Sequence, residues 1–209
     1  MSKLNDLTTT EAILHVTEKL LKEKGNVTIK EIADAAFVNI AAVNYHFRSK
    51  DALLQIVIEK SVQELRTKII NIIISYDEEV ETFESLMTRL IDVIFDFAED
   101  NIGIINYSFY QIATQSQSSN ILVDFFLADD EFTNLISTNL RKAFTNATED
   151  QLFAKYLIIF SSFAVPFFLN FSLLQNQGQF KSTTHEYRIK YIEKYRDVYI
   201  EELRKILTT

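Results

Sequence analysis

The chain has 209 residues and a formal net charge of −8, and it contains only 3 Gly, 1 Pro and no Cys. Sheets need turn residues between their strands, so a chain this poor in Gly and Pro is predicted to be all-α. The lack of Cys excludes disulfide frameworks and thiolate chemistry, and it favours a reducing cytoplasm as the location.

The first predicted helix begins at Thr8 and ends at Gly25. Thr8 and Glu11 are three residues apart, which is the spacing of a capping box at a helix start. Apolar residues then recur with the helical period, and Gly25 is a good C-cap. We expect this helix to brace the two helices that follow it.

A helix-turn-helix is predicted next. Thr28 and Glu31 again have capping-box spacing, and they start a helix that ends near Ala36. Residues 37 and 38 form the turn, and Asn39 is a good N-cap for the next helix.

The third predicted helix has the features of an element that approaches a DNA duplex. Ala41 and Ala42 near its start let the backbone come close to the floor of a groove. Val43 and Phe47 are four residues apart and are expected to hold the helix to the core. Residues with hydrogen-bond donors remain for the duplex: Asn44, Tyr45, His46 and Lys50.

The charge is distributed unevenly along the chain. Residues 1–50 carry 7 Lys and Arg against 6 Asp and Glu, and residues 51–209 carry 14 against 23, which together make up the 21 basic and 29 acidic residues of the chain. Phosphate binding needs a local cationic face and not a basic protein, so this distribution permits DNA contact by the N-terminal part.

An ordered series of residues characterises this part of the chain: a first helix ending at Gly25, then Thr28-x-x-x-Ile32-Ala33, Val38-Asn39, Val43-Asn44-Tyr45-His46-Phe47 and Ser49-Lys50-Asp51-x-Leu53. In this order, the residues from about 8 to 54 resemble the DNA-binding domain of the TetR family of bacterial transcriptional regulators. The rest of the chain is compatible with the family's all-helical regulatory domain but carries no family-wide motif.

One residue departs from the family pattern. The family usually has Gly at the turn position that Phe37 occupies here. A positive φ at this position suits Gly and strains Phe. Either the turn is built differently in this chain, or Phe37 is held in a strained conformation.

The resemblance implies that the third helix lies in the major groove of a palindromic operator, bound by a homodimer. Base contacts are then expected near Ile40, Ala41 and Ala42, whose apolar groups can read the methyl group of thymine. Lys30 is expected to contact a guanine or a phosphate, and the residues from Asn44 to His46, with Lys50, match positions that contact phosphates or brace the helix. The candidate DNA-binding residues are Thr28, Lys30, Asn39, Ile40, Ala41, Ala42, Asn44, Tyr45, His46 and Lys50.

A long helix from Lys50 to about Ser75 follows, with Ser49 as its N-cap and no Gly or Pro inside it. A stiff connection of this kind can transmit a movement of the body to the DNA-binding helices. The predicted architecture is an N-terminal three-helix bundle joined by this helix to a larger helical domain. We therefore predict a DNA-binding domain at residues 1–50 and a ligand-binding and dimerisation domain at residues 51–209.

Five more helices are predicted, at about 82–100, 104–115, 121–144, 148–174 and 183–207, with a break at 101–103. Residues 157–174 contain no charge and reach the length of a membrane span. Pro166 and Asn170 favour instead a helix packed between the core and a second subunit. A membrane-associated helical protein remains an alternative.

No catalytic or metal-binding constellation is recognised, and no cofactor is expected. The chain has no Gly-rich phosphate loop, no His pair at ligand spacing and no Cys nucleophile, so nothing favours an enzyme. The acidic run at 129–131 lacks a His partner, and neighbouring helix positions point apart, so it is interpreted as a solvated helix face.

An effector cavity is expected in the body, since TetR-like regulators bind small effectors there and the chain has 17 Phe residues. Simple filling of the core remains the alternative for each Phe. The amides and hydroxyls among these residues suit a small, apolar, uncharged effector. The candidate ligand-binding residues are Phe95, Asn106, Phe109, Tyr110, Phe126, Phe163, Phe167 and Asn170.

The last two predicted helices are expected to form the dimer interface as a four-helix arrangement, because one has an uncharged face and the other a face rich in Tyr. The candidate interface residues are Phe160, Phe168, Tyr191, Tyr195, Val198 and Tyr199.

The sequence thus predicts a cytoplasmic TetR-like repressor, homodimeric and released from its operator by a small apolar effector. The alternative is a helical small-molecule-binding protein that has lost sequence-specific DNA binding.

Overall fold

The computed structural model describes residues 8–77, 79–113, 121, 124–128, 130–161, 198, 201 and 202. All regular structure within these ranges is helical, which confirms the predicted all-α class. Several predicted site residues lie outside the described ranges, as does nearly all of the last predicted helix. These residues are Phe163, Phe167, Phe168, Asn170, Tyr191, Tyr195 and Tyr199.

The helices follow one another with short connections. They are α1 (Thr9–Lys24), α2 (Ile29–Ala35), α3 (Ile40–Phe47), α4 (Lys50–Ile74), α5 (Phe83–Asp100), α6 (Ile102–Ala113), a π-helix (Asp124–Ala128), α7 (Asp130–Ala143) and α8 (149–161).

The predicted helix caps are confirmed. Thr8 and Glu11 form a capping box at the start of α1, and Thr28 and Glu31 form another at the start of α2. Gly25 ends α1 with a φ of 70°, a conformation that suits Gly. The caps satisfy backbone N–H groups that the first turn of each helix leaves unpaired.

Contacts divide the chain into two compact units. The first lies within Met1–Glu64 and Asp100–Ile121, and the second within Leu65–Glu99 and Leu122–Thr209. These units describe packing and not function, so the predicted domains 1–50 and 51–209 stay a prediction.

The first unit packs α1, α2, α3, α6 and the start of α4 around one core. Fully buried side chains come from each of these helices: Ile13, Leu21, Ile32, Val43, Leu53, Leu54 and Ile104. Two ion pairs add to this packing, since Glu18 of α1 meets Lys60 of α4 at 3.0 Å and Lys24 meets Glu31 at 2.7 Å.

Gly103 lies where α6 crosses the end of α1. A Cβ atom added to Gly103 would stand 2.0 Å from the carbonyl oxygen of Leu21 and 2.6 Å from that of Lys22. The predicted break at 101–103 is present but shorter, because α5 ends at Asp100 and α6 begins at Ile102. Gly103 itself lies inside α6, where it allows the close approach of two backbones.

The second unit has a small core formed by Leu140, Leu152 and Tyr156. An ion pair of 2.6 Å joins Arg66 of α4 to Glu131, an exposed residue of α7. Both contacts use residues that are far apart in the sequence, so they fix how α4, α7 and α8 pack within this unit.

The helix predicted at 121–144 contains a π-helical segment. Residues 124–128 form a π-helix before α7 begins at Asp130. The hydroxyl group of Tyr156 donates a hydrogen bond to the carbonyl oxygen of Phe126 within this segment, and burial raises the pKa of Tyr156 to about 12. A wide turn exposes backbone groups that a side chain can then satisfy.

Phe37 has a φ of 56°, so the second of the two predicted alternatives holds. The turn keeps a positive φ, and the backbone of Phe37 is held in a strained conformation. The N–H of Val38 donates to the carbonyl oxygen of Ala33 at 3.0 Å, which closes the turn. The Phe37 side chain is 84% exposed, so its burial offsets none of this strain.

Replacing Phe37 with Gly should therefore stabilise the protein. A left-handed backbone costs a residue with a Cβ atom about 1–2 kcal/mol, and the extra chain entropy of Gly cancels about 0.5–1 kcal/mol of the gain. We expect the free energy of unfolding in urea to rise by about 0.5–1 kcal/mol.

Ala36→Gly is the matched control, since Ala36 has an ordinary φ of −84°. The same new Gly should lower the free energy of unfolding there by about 0.5–1 kcal/mol. A Phe37→Gly variant no more stable than the unmodified protein would show that the turn carries no strain.

Candidate nucleic-acid interface

The position of α3 is fixed from one side only. Val43 and Phe47 are buried in the core of the first unit, as predicted from their spacing. The Asn39 side chain accepts a hydrogen bond of 2.7 Å from the N–H of Ala42 and so caps the helix. This anchoring leaves the opposite face of α3 open to solvent.

The open face is apolar at the start of α3 and polar at its end. Ile40, Ala41, Asn44, Tyr45 and His46 are exposed, and Ala42 between them is half-buried. The structure thus presents the predicted base-reading residues together with the predicted backbone-contacting residues on one helix, and their roles in binding DNA stay a prediction.

The chain reverses at Arg48, directly after α3. The N–H of Ser49 donates to the carbonyl oxygen of Phe47 at 2.6 Å, and Arg48 between them has φ 63° and ψ −44°. This is a γ-turn with positive φ at its centre, a rare and strained form. Ser49 then caps α4 by accepting a bond of 3.1 Å from the N–H of Ala52.

Arg48 is a candidate that the sequence did not single out. Its side chain is exposed beside α3, and it stands two residues before Lys50. A cluster of two basic residues was visible in the sequence, but nothing in the pattern indicated a reversal that places an Arg next to the exposed face.

The cations of the first unit differ in their ion pairs. Lys30, Arg48 and Lys50, which lie on or beside the helix-turn-helix, take part in no ion pair within the described ranges, and neither does Lys19 of α1. The other cations of the supporting helices are paired: Lys22 and Lys60 with Glu18, and Lys24 with Glu31. Positive charge therefore remains uncompensated by acidic side chains beside the open face of α3.

Glu31 shows how the pairing is built. The hydrogen bond from Lys24 and those from the backbone and side chain of Thr28 lower the pKa of Glu31 to about 2. The Thr28 hydroxyl group donates to this carboxylate at 2.9 Å and accepts from the N–H of Glu31. Thr28, a predicted DNA contact, is thus exposed but already serves as a cap.

His46 is joined to the first helix. Its Nδ1 lies 3.1 Å from the hydroxyl oxygen of Thr10, in the first turn of α1. The Tyr45 ring meets the His46 ring edge-on with 5.3 Å between centroids. These contacts fix the position of a side chain at the exposed end of α3.

The predicted ligand-binding residues are divided between the units. Asn106, Phe109 and Tyr110 lie on α6 in the first unit, and Phe95 and Phe126 lie in the second. Their grouping into one pocket stays a prediction, and Phe163, Phe167 and Asn170 lie outside the described residues.

Asn106 is the most informative of the ligand candidates. Its side chain is 3% exposed, and its Nδ2 atom has no hydrogen-bond partner among the described residues. One residue further along α6, the Tyr107 hydroxyl group donates to the Asp51 carboxylate at 3.5 Å and accepts a bond from Gln111. Burial, followed by the Asp51 charge, raises the pKa of Tyr107 to about 12.

A cavity of about 600 Å³ lies in the second unit, between the end of α7 and α8. It is lined by Ala143, Phe144, Thr145, Asn146, Ala147, Gln151, Ala154, Lys155 and Ile158. The Lys155 ammonium group sits 4.2 Å from the centre of the Phe144 ring. No ligand-binding candidate lines this cavity.

Two predicted interface residues are described. Phe160 is half-buried and packs against Phe126, with 5.1 Å between ring centroids, and Val198 is 59% exposed. Helix α8 also exposes Phe153, Leu157 and Ile158, of which Phe153 and Leu157 are four residues apart and share one face. The second unit therefore has an apolar helix face open to solvent.

None of the described helices is both long and apolar enough to span a membrane, although most of the uncharged stretch 157–174 lies outside the described ranges. Within the same ranges, no group of three or more His, Cys, Asp and Glu side chains comes together as metal ligands do.

The comparison with protein families identifies the helix-turn-helix. Residues 13–57 match the model of the bacterial regulatory proteins of the tetR family. This segment contains most of α1, all of α2 and α3, and the start of α4. The matched model is that of the N-terminal DNA-binding domain of the family, whose members are transcriptional regulators. No protein with a curated description matches the chain.

Solved structures share the fold over most of the chain. A tetR-family transcriptional regulator from Streptomyces coelicolor is 16% identical with a TM-score of 0.59, over 96% of this chain and 86% of that one. A Clostridium perfringens protein named as a fatty acid metabolism regulator is 17% identical with a TM-score of 0.57, over 92% and 97%. A linker-substituted mutant of HlyIIR is 20% identical with a TM-score of 0.55, over 78% and 87%. At these identities the likeness shows the fold alone.

Proposed function

We propose that this chain, whose residues 13–57 are a TetR-family DNA-binding domain, is a cytoplasmic repressor that binds a palindromic operator as a homodimer and leaves it when a small apolar effector binds. The observation that carries the proposal is the uncompensated positive charge of Lys30, Arg48 and Lys50 beside the open face of α3.

Each part of that face suits a different part of the duplex. Cations without acidic partners are suited to phosphates, and their contacts position the protein on DNA without reading its sequence. Ile40, Ala41 and Ala42 offer only apolar groups, which discriminate bases through the thymine methyl group. We therefore expect an operator whose half-sites are rich in A·T pairs where α3 enters the groove.

Asn106 supports the effector part of the proposal. A buried amide donor without a partner costs free energy, so an acceptor that reaches it binds favourably. A neutral ligand with one or two acceptors meets this need, whereas a charged ligand requires a buried counter-charge. Effector binding then favours the dimer geometry that does not fit the operator.

The exposed apolar face of α8 and the exposed Val198 support the homodimer. Exposed apolar residues at helical spacing are typical of a surface that a partner covers. Two copies related by a twofold axis present two α3 helices to successive turns of the major groove, which are about 34 Å apart.

The alternative, a small-molecule-binding protein that has lost DNA binding, rested on Phe37. The positive φ of Phe37 matches the conformation that the Gly of the family adopts, and Val43 and Phe47 still anchor α3. Phe37 therefore gives no structural reason for loss of DNA binding. Fluorescence anisotropy with DNA from upstream of the protein's own gene distinguishes the two: salt-dependent binding supports the repressor, and no binding at low salt supports the alternative.

Lys50→Ala should weaken binding to operator and to unrelated DNA by the same factor, because Lys50 is proposed to contact phosphates. The slope of log K against log salt should fall by roughly one. Lys68→Ala makes the same charge change on the same helix, about 27 Å along it by the helical rise, and should leave the slope unchanged. A loss confined to operator DNA would show that Lys50 reads bases.

Tyr195→Asp or Val198→Asp should produce monomers, because each places an unpaired charge in the proposed interface. A monomer contacts only one half-site of the operator and should therefore bind it too weakly to detect. Light scattering after size exclusion reports the mass. Val80→Asp, at an exposed loop Val, is the control and should stay dimeric. An unmodified protein that is monomeric at micromolar concentration contradicts the proposal.

Neutral apolar compounds that bind should raise the melting temperature and release operator DNA in parallel, and charged analogues should do neither. Asn106→Leu should leave the free protein at least as stable, because it removes an unpaired buried donor, while it reduces the thermal shift caused by the compound. A body that no neutral compound stabilises would contradict the effector proposal.

A further inference from the structure

A side-chain contact joins two helices at the edge of the DNA-binding face. The Thr10 hydroxyl oxygen lies 3.1 Å from His46 Nδ1, although the two residues are 36 positions apart. Thr10 belongs to the first turn of α1, and His46 belongs to the last turn of α3. The contact therefore fixes an exposed side chain of α3 from outside its own helix.

The partner of His46 stands on a rigid element. The capping box of Thr8 and Glu11 closes the first turn of α1, with a bond of 2.8 Å from the Thr8 N–H to the Glu11 carboxylate. Ile13 and Val16 are buried and hold α1 to the core. Two independent sets of contacts therefore fix the position of Thr10, and the contact with Thr10 in turn fixes the position of the His46 ring.

The chemistry of imidazole gives this contact a consequence. A neutral ring carries one proton, and a hydroxyl group that donates to Nδ1 leaves this proton on Nε2. The same hydroxyl group can also accept from Nδ1–H, in the cationic ring or in the other neutral tautomer, so the contact holds the ring in every protonation state. Nε2 is the other ring nitrogen, and no other hydrogen bond of His46 occurs within the described ranges.

We propose that Thr10 is a positioning residue of the DNA-binding site, which fixes the ring of His46 so that its Nε2–H donates to a backbone phosphate of the duplex. Without the Thr10 hydroxyl group, no contact from α1 holds the ring, and His46 can turn Nε2 away from the phosphate. The inference rests on the proposed DNA-binding function and adds a residue of α1 to it.

A double-mutant cycle tests the coupling. Thr10→Val keeps the shape of the side chain and removes the hydroxyl group, and it should weaken operator binding about 3- to 10-fold, the range for one hydrogen bond. Thr10→Ser restores the hydroxyl group and should bind within about twofold of the unmodified protein. In a His46→Ala background, Thr10→Val should have no further effect on operator binding, because Thr10 is proposed to act only through the His46 ring.

Nuclear magnetic resonance supplies a readout that a general loss of stability does not move. In protein labelled with ¹⁵N at histidine, the Nδ1 signal of His46 reports its hydrogen bond with Thr10. The Thr10→Val variant should shift this signal and leave the amide signals of other residues unchanged.

Thr9→Val is the matched control, one residue earlier in the same exposed turn, and should bind like the unmodified protein. Equal losses from Thr9→Val and Thr10→Val, or an equal effect of Thr10→Val with and without His46, would overturn the inference. Failure of the unmodified protein to bind any DNA would instead overturn the proposed function, so the two failures are distinguishable.

Discussion

The placement of α3 depends on two chain reversals in which residues other than Gly take a positive φ. Phe37 precedes the helix with φ 56°, and Arg48 follows it with φ 63°. Each reversal costs about 1–2 kcal/mol. Burial of Val43 and Phe47 contributes about 1.5–3 kcal/mol for each side chain, so the anchor of the helix outweighs the strain at its ends. The burial of Val43 and Phe47 therefore holds this short helix in place from the core side, and its opposite face stays exposed.

The acidic net charge is compatible with this arrangement because neutralisation is local. Glu18 and Glu31 pair with the cations that stiffen the packing of α1 against α2 and α4. Lys30, Arg48 and Lys50 keep their charge available beside α3. Surface charges farther apart than a Debye length of about 8–10 Å are largely screened from one another, so an acidic net charge is compatible with a local group of cations.

Features set by neighbouring residues were predictable from the sequence, and features set by distant ones were not. The capping boxes are determined by residues three apart, and both were identified. The break near Gly103 was predicted, but the packing role of Gly103 was not, because that role depends on the carbonyl oxygen of Leu21, which is distant in sequence. The γ-turn at Arg48 and the contact between Thr10 and His46 have no local signature, because Arg has no preference for positive φ and a contact over 36 residues follows only from the packing of α1 on α3.

Helix α6 links the buried amide to the helices that support α3. Gly103, near its start, touches the backbone at the end of α1, and Tyr107, one turn later, reaches Asp51 at the start of α4. Asn106, the neighbour of Tyr107, carries the buried donor without a partner. Because the contact at Gly103 leaves no room for a methyl group, α6 and α1 meet backbone to backbone there, and a larger residue would push the two helices apart. Helix α6 therefore connects the buried Asn106 to both α1 and α4, two of the helices that pack with α3 in the first unit.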